Sequence, residues 1–408
     1  MTDLTESGVA RGSSLTLDTY FCAAIAVMTG ILTWIVASSL SFTVAHLDVW
    51  FDSDSAFIFE VMTDRWTPHQ DRNNLHPIFA LLTYPAVFVQ TQLLGIDKYN
   101  AALVLLIVFA SLWACLIYIT LRLMRRPIGA ALIFTAIGVA STGGVLFLGI
   151  FERHIAGSIT ILVCVAAFVA YERRMISGNW LVLAAAGTLG ITITNFMVGI
   201  AALFLAFGPR KGLQASINAF FVVVMLAALP QFLFPTSSAF LDFRNLPFKS
   251  TFQSVGGTIQ QRATAYWFHA TVMPEPTVEV KPNNTGYLSL QRVSVANHRP
   301  AGYAALLLWA ILVGMGAWRT FKVGPIEKVD ILLALGILGH FCLFLFFGSE
   351  TILYAPSYVP LILLVASRSL CSPSNLALYV ASSLFLGLLA WNNVQWLLFS
   401  VASARSLF

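Results

Sequence analysis

Long apolar runs recur along most of this 408-residue chain, and short polar stretches separate them. A helix needs about 20 consecutive apolar residues to cross a bilayer, and several of the runs approach that length. Only 10% of the residues are charged, whereas a soluble protein of this length would carry roughly 25%. The sequence therefore predicts an all-α polytopic membrane protein, whose first partner is the lipid bilayer.

Positive charge lies in short clusters between the apolar runs, as the positive-inside bias produces. The formal net charge is +5, but such scattered clusters do not indicate a nucleic-acid partner. Suppose that the N-terminus is cytoplasmic and that residues 77–95 lie along the membrane surface without crossing it. All later basic clusters, from Arg122 to Arg368, then fall on the cytoplasmic side. This parity favours about eleven transmembrane helices.

The same parity places two long loops on the external, non-cytoplasmic side. Residues 44–98 form the first loop, with an acidic motif and surface-lying helices, and residues 235–300 form the second. We expect the second loop to be an ordered lid over the first, and the alternative is a merely connecting loop. Residues 1–408 then make a single transmembrane domain, in which two short helices at 180–207 preserve the parity.

The first external loop concentrates acidic residues, which are scarce in the rest of the chain. Six of the 18 acidic residues lie between positions 48 and 77, namely Asp48, Asp52, Asp54, Glu60, Asp64 and Asp71. Asp52 and Asp54 form a D-x-D pair just after the first span. Two carboxylates at this spacing can share a divalent cation such as Mg²⁺ or Mn²⁺, or one can act as a general base while the other positions it. The alternative is a solvated loop.

With this loop in place, the chain resembles the GT-C superfamily of integral membrane glycosyltransferases, which use polyprenyl-linked phosphate or diphosphate sugars as donors. The family's acidic motif looks like Asp52-Ser53-Asp54, and its His-Pro element looks like His76-Pro77, although Ile78 replaces a second proline. The long external loop after the seventh predicted span also resembles the family architecture. The resemblance covers most of the chain, and its short motifs do not select a subfamily.

The resemblance implies an inverting glycosyltransferase with its active site on the non-cytoplasmic face, in a bacterial inner membrane where the cell envelope is built. Either Asp52 or Asp54 would deprotonate the acceptor hydroxyl, with a slight preference for Asp52. The hydroxyl would then displace polyprenyl phosphate from the sugar. The acceptor would be a glycan, a lipid-linked glycan or a protein. A lipid-linked glycan polymerase or ligase is one alternative, and a lipid-glycan transporter or flippase is another.

Direct displacement also needs positive charge beside the departing phosphate, so its candidate ligands must lie on the external side. Arg153 and His154 qualify, as do His298 and Arg299 just before a later span. Arginine suits this role because it binds phosphate oxygens bidentately. For Arg299, the alternative is an interface anchor at the entrance to the span.

Further external residues are weaker candidates for the same site. Arg65, His76 and Tyr354 are predicted to contact substrate, and the alternative for His76 is to cap the surface helix that follows it. Second acidic motifs contribute to metal sites in some GT-C relatives, and Glu152 resembles such a motif. It would complete a divalent cation site together with Asp54, unless it pairs locally with the arginine that follows it.

Overall fold

The computed structural model describes residues 3–46, 48–240, 242, 256–281, 285–322, 325–370 and 375–407, and their side chains from residue 16 onward. Eight helical segments in this part of the chain are long and apolar enough to cross a membrane, in agreement with the predicted all-α polytopic class. They are Thr16–Ser39, Lys98–Leu123, Arg153–Glu172, Ile193–Leu233, Pro300–Lys322, Lys328–Phe346, Thr351–Leu370 and Leu376–Arg405.

The described helices follow one another with short connections. In chain order they are α1 Asp3–Ser39, α2 Ser55–Thr63, α3 Phe79–Leu93, α4 Lys98–Leu123, α5 Ile128–Ala140, α6 Thr142–Phe147, α7 Arg153–Glu172, α8 Gly178–Ile191, α9 Phe196–Ala227, α10 Leu229–Leu233, α11 Ile259–Thr264, α12 Pro300–Lys322, α13 Lys328–Phe346, α14 Ala355–Ala366 and α15 Leu376–Arg405. A two-stranded antiparallel sheet pairs β1, Thr277–Val280, with β2, Gly286–Ser289.

Helix α9 is interrupted at Gly208, whose φ of 75° and ψ of 176° are not helical. Glycine tolerates positive φ because it lacks a Cβ atom, and Pro209 cannot donate a helical hydrogen bond. The two halves lie close together, since a Cβ on Gly212 would stand only 2.8 Å from the Cα of Phe204. The break at Gly208 follows directly on the region 180–207, in which the sequence analysis predicted two short helices, and α8 and the first half of α9 occupy that region. The count of eleven spans stays a prediction.

Helix α3 is the short segment that the sequence analysis laid along the membrane surface. Its 15 residues include Pro85, and it is not among the eight helices long and apolar enough to span. Two contacts fix its beginning against the end of α8. The Ile78 amide donates to the Gly190 carbonyl at 2.9 Å, and the His76 ring bonds the Ile191 carbonyl at 2.8 Å.

The second external loop packs onto the helices and onto the acidic loop. Residues 241, 243–255 and 282–284 of the predicted lid lie outside the described part of the chain. In the described part, the buried Arg262 donates to the carbonyls of Gly256, Phe344 and Gly348 at 2.8, 3.0 and 2.8 Å. The bonds to Phe344 and Gly348 satisfy carbonyls at and just beyond the end of α13, which helical bonding leaves open. The Leu288 amide of β2 donates to the Val49 carbonyl at 3.0 Å.

Helix α7 connects the two chemically distinct ends of the helical bundle. Its 20 residues extend over about 30 Å at 1.5 Å per residue. At its start, Arg153 contacts Asp54 of the acidic loop, and at its end Glu172 contacts Lys328. The acidic loop and the Glu172–Lys328 pair therefore lie at opposite ends of one helix. The assignment of these two ends to opposite faces of the membrane stays a prediction.

Candidate active site

The acidic loop is a tight turn anchored by aromatic side chains. Trp50 and Phe51 are fully buried, and the Trp50 indole donates to the Leu146 carbonyl at 3.0 Å. Asp48, Phe51 and Asp52 have φ values of 65°, 52° and 58°. Residues other than glycine rarely adopt this left-handed conformation, although aspartate does so more readily than most. The turn allows carboxylates that are close in sequence to meet different partners.

Asp54 faces two arginines that come from different parts of the chain. Its Oδ2 atom accepts hydrogen bonds from Nη1 of Arg72 and from Nη2 of Arg153 at 3.3 Å. Arg72 belongs to a 3₁₀ segment, Pro68–Asn74, whereas Arg153 is the first residue of α7. One carboxylate and two guanidinium groups therefore meet at one point.

Glu152 holds the backbone of both Asp54 and Arg153 in place. It is 5% exposed, and its Oε1 and Oε2 atoms accept from the amides of Asp54 and Arg153, both at 2.9 Å. Burial raises the pKa of Glu152 to about 7, and the negative charge of Asp54 adds to this effect. Both carboxylate oxygens are used in holding the backbone, so Glu152 is a positioning residue.

A cavity of about 520 Å³ opens beside Asp54. This volume lies within the range of small-molecule binding sites. The wall combines charged, hydroxyl-bearing and apolar side chains, among them Asp54, Arg72, Asn74, His76, Arg153, His154, Thr192, Thr194, Phe347, Leu353 and Tyr354. Acidic-loop residues and residues at the ends of four helical segments thus meet around one space.

Two rings in the cavity wall have defined partners. The Nδ1 atom of His76 must donate to the Ile191 carbonyl, which can only accept. Burial, reinforced by the charge of Arg153, holds the pKa of His76 well below its ordinary value, so the neutral ring keeps Nε2 as an acceptor. Tyr354 stacks on Phe344 at 4.3 Å between ring centroids and meets the edge of His154 at 4.7 Å.

Asp52 lies outside the residues that line this cavity and belongs to a separate cluster, which we call the clamp: Asp48, Asp52, Lys281 and Ser349. Lys281 contacts Asp48 at 2.8 Å and also pairs with Asp52, while the Ser349 hydroxyl donates to Asp52. Burial alone would lower the pKa of Lys281, but the hydrogen bonds and charges of both aspartates raise it. The clamp fastens the lid to the acidic loop.

Three of the predicted substrate-binding residues lie away from the cavity wall. The exposed Arg65 covers the Trp66 ring at 5.0 Å, and Arg299 covers the Trp396 ring at 4.1 Å. His298 is buried, with its ring 5.6 Å from that of His269, and burial lowers its pKa to about 4. The structure does not bring these three to Asp54. Parity assigns residues to a face of the membrane but does not fix distances within that face.

The structure also adds residues that the sequence analysis missed. Arg72 contacts Asp54 directly, and the segment Thr192–Thr194 lines the cavity from the end of α8. A usable signal for Arg72 was its position four residues before His76, within the acidic loop. Nothing in the local sequence marked Thr192–Thr194, because its role depends on how the helices pack.

The residues around Asp54 do not form a convincing metal site. Among the described residues, no group of three or more His, Cys, Asp or Glu side chains is arranged to hold a metal ion. The Oδ2 atom of Asp54 meets two guanidinium groups, and both oxygens of Glu152 accept backbone N–H bonds. Asp52 and Asp54 also have different partners, so the predicted sharing of Mg²⁺ or Mn²⁺ by this pair does not fit the observed donor set.

Comparison with protein-family models and with curated proteins finds no match for the chain. The resemblance to GT-C glycosyltransferases therefore stays a prediction, and any function must be argued from the geometry of the cavity and its surroundings.

Proposed function

We propose that the protein is an inverting membrane glycosyltransferase of GT-C type, which moves a sugar from a polyprenyl-phosphate donor to an acceptor hydroxyl. The observation that supports this proposal most is the meeting of Asp54 with Arg72 and Arg153 at the wall of one cavity. A carboxylate can accept the proton of an attacking hydroxyl, and paired guanidinium groups can stabilise a departing phosphate. Asp54 and both guanidinium groups line the same cavity, which supports a reaction that uses the two kinds of group together.

In the proposed reaction, Asp54 takes the proton from the acceptor hydroxyl, whose oxygen attacks the anomeric carbon of the sugar. The bond between that carbon and the phosphate oxygen breaks on the opposite side, and its electrons leave with polyprenyl phosphate. Inversion at the anomeric carbon follows from this single displacement. Arg72 and Arg153 orient Asp54 and bind phosphate oxygens, and the neutral His76 can accept a hydrogen bond from a sugar hydroxyl.

Asp54 rather than Asp52 is our candidate for the base. The Asp54 side chain lines the cavity, whereas Asp52 is enclosed by Lys281 and Ser349. A general base must reach the proton that it removes. The slight preference for Asp52 in the sequence analysis rested on its position after the first span, which does not determine where its side chain lies.

The proposed membrane setting follows the charge distribution of the sequence. The cytoplasmic N-terminus, about eleven spans and an external cavity are mutually consistent under the positive-inside rule. We place the protein in a bacterial inner membrane with the cavity facing the periplasm or exterior. A glycan, a lipid-linked glycan or a protein would supply the acceptor hydroxyl, and the chemistry would serve glycan biosynthesis in the cell envelope.

A second candidate function is a glycan polymerase or ligase that uses a diphosphate-linked donor. The observation that favours it is the presence of two guanidinium groups on one carboxylate, because together they also suit the two negatively charged phosphoryl groups of a diphosphate. A lipid-glycan transporter is the remaining alternative.

The test is to incubate the purified protein with polyprenyl-phosphate sugars, polyprenyl-diphosphate sugars and a glycan acceptor. We expect release of polyprenyl phosphate from the first donor, together with a product of inverted anomeric configuration. Release of polyprenyl diphosphate from the second donor, with no reaction of the first donor, would favour the polymerase or ligase. Movement of intact donor across a vesicle membrane without sugar transfer would contradict the enzymatic proposal.

A further inference from the structure

A second cavity, of about 410 Å³, lies at the other end of α7 from Asp54. Its wall comes from the ends of α4 and α7, the beginning of α13 and the segment after α14. Five basic side chains line it, namely Arg125, Arg126, Arg173, Lys328 and Arg368. We call this cavity the basic pocket.

Acidic residues neutralise only part of this charge. Glu172 and Glu327 line the same cavity and pair with Lys328 at 3.2 Å and Arg368 at 3.6 Å. Asp330 also pairs with Arg368. Among the described residues, neither Arg125 nor Arg173 forms an ion pair with a carboxylate. Five basic groups thus face three acidic ones, which leaves an excess of positive charge.

The positive groups are held close together by the protein. Arg126 is only 6% exposed, and its carbonyl accepts from Nη1 of Arg122 at 2.5 Å. Arg125 has a φ of 60° at the end of α4, a conformation that glycine would adopt at lower cost. Burial lowers the pKa of Arg173, and the nearby charge of Arg125 lowers it further, although Glu327 acts in the opposite direction. A bound anion would relieve this concentration of charge.

Helix ends and topology provide a simpler reason for some basic residues here. Cations are favourable at helix C-termini, and α4 and α7 both end at this pocket. Cytoplasmic loops also attract lysine and arginine. Neither effect, however, requires a cavity with arginines from two helices on its wall. A partly enclosed space with guanidinium forks matches the geometry that phosphate oxygens prefer.

We propose that the basic pocket binds a phosphate-bearing anion, at the opposite end of the helical bundle from the proposed reaction. The pocket lies at the ends of membrane-spanning helices, so the headgroup of an anionic phospholipid can reach it from the bilayer. A soluble phosphate compound offers the same chemistry. The inference does not depend on the proposed glycosyltransferase function.

The experiment measures binding to the full-length protein in detergent, using native mass spectrometry and titration with a fluorescent lipid. The probes are cardiolipin, phosphatidylcholine as the neutral-headgroup control, and inorganic pyrophosphate without lipid. The test variant combines Arg125→Gly with Arg173→Ala, since glycine suits the left-handed backbone. The matched control combines Arg210→Ala with Lys211→Ala, an exposed basic pair that does not line the pocket.

We expect wild-type protein to prefer cardiolipin or pyrophosphate, and the test variant to bind that probe about 25-fold more weakly, at about fivefold per lost charge. The control variant should change binding less than twofold. If only cardiolipin is preferred, the anion is the headgroup of a lipid. If pyrophosphate binds saturably and the test variant weakens that binding, the anion is a soluble phosphate compound. If the double variant does not fold, Arg125→Gly alone should lower affinity about fivefold. Equal losses in test and control variants, or no preference for either anion, would overturn the proposal.

Discussion

Asp52 and Asp54 stand two residues apart, yet they belong to different regions of the molecule. Asp54 faces a cavity together with Arg72 and Arg153. Asp52 is held by Lys281 and Ser349 in the clamp. The first region has open space for a substrate, whereas the second joins the lid to the acidic loop. Identical side chains therefore line a cavity in one place and attach a loop in the other.

The backbone explains why these two carboxylates diverge. Asp52 takes a left-handed φ of 58°, and Asp54, two residues later, is the N-cap residue of α2. Glu152 then fixes the Asp54 amide at 2.9 Å. A motif of two acids in sequence therefore does not imply that both act on one substrate or one cation. The buried partners of the loop decide which carboxylate reaches the cavity.

The largest expected effect comes from replacing the cavity carboxylate. Asp54→Asn retains the shape of the side chain but removes the group that would accept the proton. General-base assistance is worth about 10²–10⁴-fold in rate, so turnover should fall by that factor while donor binding persists. Turnover and donor affinity should be measured on the same preparation, with thermal unfolding as a check on folding. Turnover within about twofold of wild type would show that Asp54 is not the base.

The next test compares two arginines that were both predicted to bind the phosphate of the donor. Arg153 lines the cavity, whereas Arg299 does not. Arg153→Ala should weaken donor binding on the order of 10- to 100-fold, since a charge-assisted contact to phosphate is lost. Arg153→Lys should restore only part of the affinity because the planar fork is absent. Arg299→Ala is the matched control, since Arg299 lies over Trp396. Equal losses at Arg153 and Arg299 would remove the distinction between these positions.

The clamp should affect stability more than chemistry. Lys281→Met removes the cation shared by Asp48 and Asp52, and we expect a loss of about 1 kcal/mol in unfolding free energy, limited by partial solvent exposure. Limited proteolysis should cut the lid faster, while turnover changes much less than in Asp54→Asn. Lys322→Met is a suitable control because Lys322 lies over Trp318 at the far end of α12. A turnover loss as large as that of Asp54→Asn would place the clamp in the reaction.

The last expected effect is on the pH dependence of stability and concerns Glu350, which lies next to Ser349 of the clamp and is 1% exposed. Burial raises its pKa from 4.5 to about 8, despite the hydrogen bond from Ser289. The folded state therefore holds a proton that the unfolded state releases, so this group lowers stability as pH rises through that interval. Glu350→Gln should flatten the fall in melting temperature between about pH 5 and pH 8.

The Glu350 experiment has a matched control variant and one outcome that would contradict the prediction. Glu275→Gln changes an exposed glutamate of the same lid and should leave the pH profile unchanged. Glu152 also has a raised pKa, so part of the wild-type slope should remain in Glu350→Gln. Identical slopes in wild type and Glu350→Gln would show that Glu350 is not protonated in the folded protein.

Sequence patterns predicted those features that depend on residues close together in the chain. Apolar run length indicated the membrane helices, and the scarcity of acids elsewhere drew attention to the loop that contains Asp54. Arg153, His154, His76 and Tyr354 were also among the predicted substrate contacts, and they line the same cavity. The assignment of these residues to substrate remains a prediction.

The remaining features depend on long-range packing. Arg299 shares a predicted membrane face with Asp54, but charge parity carries no information about its position across that face. Arg72 and Thr192 reach the cavity only because the 3₁₀ segment and the end of α8 pack beside α7. The separation of Asp52 from Asp54 arises from buried aromatic anchors and from Lys281, which is 229 residues away from Asp52 in sequence. Local spacing does not encode such contacts.

Photo-crosslinking tests most directly whether the cavity beside Asp54 is the donor site. The probe is a polyprenyl-phosphate sugar with a diazirine on the isoprene unit nearest the phosphate, and unlabelled donor serves as competitor. We predict competition-sensitive crosslinks in peptides that contain His154, Thr192 or Tyr354, with mass spectrometry as the readout. Competition-sensitive crosslinks confined to the clamp around Asp52, or to the basic pocket at the other end of α7, would contradict this account.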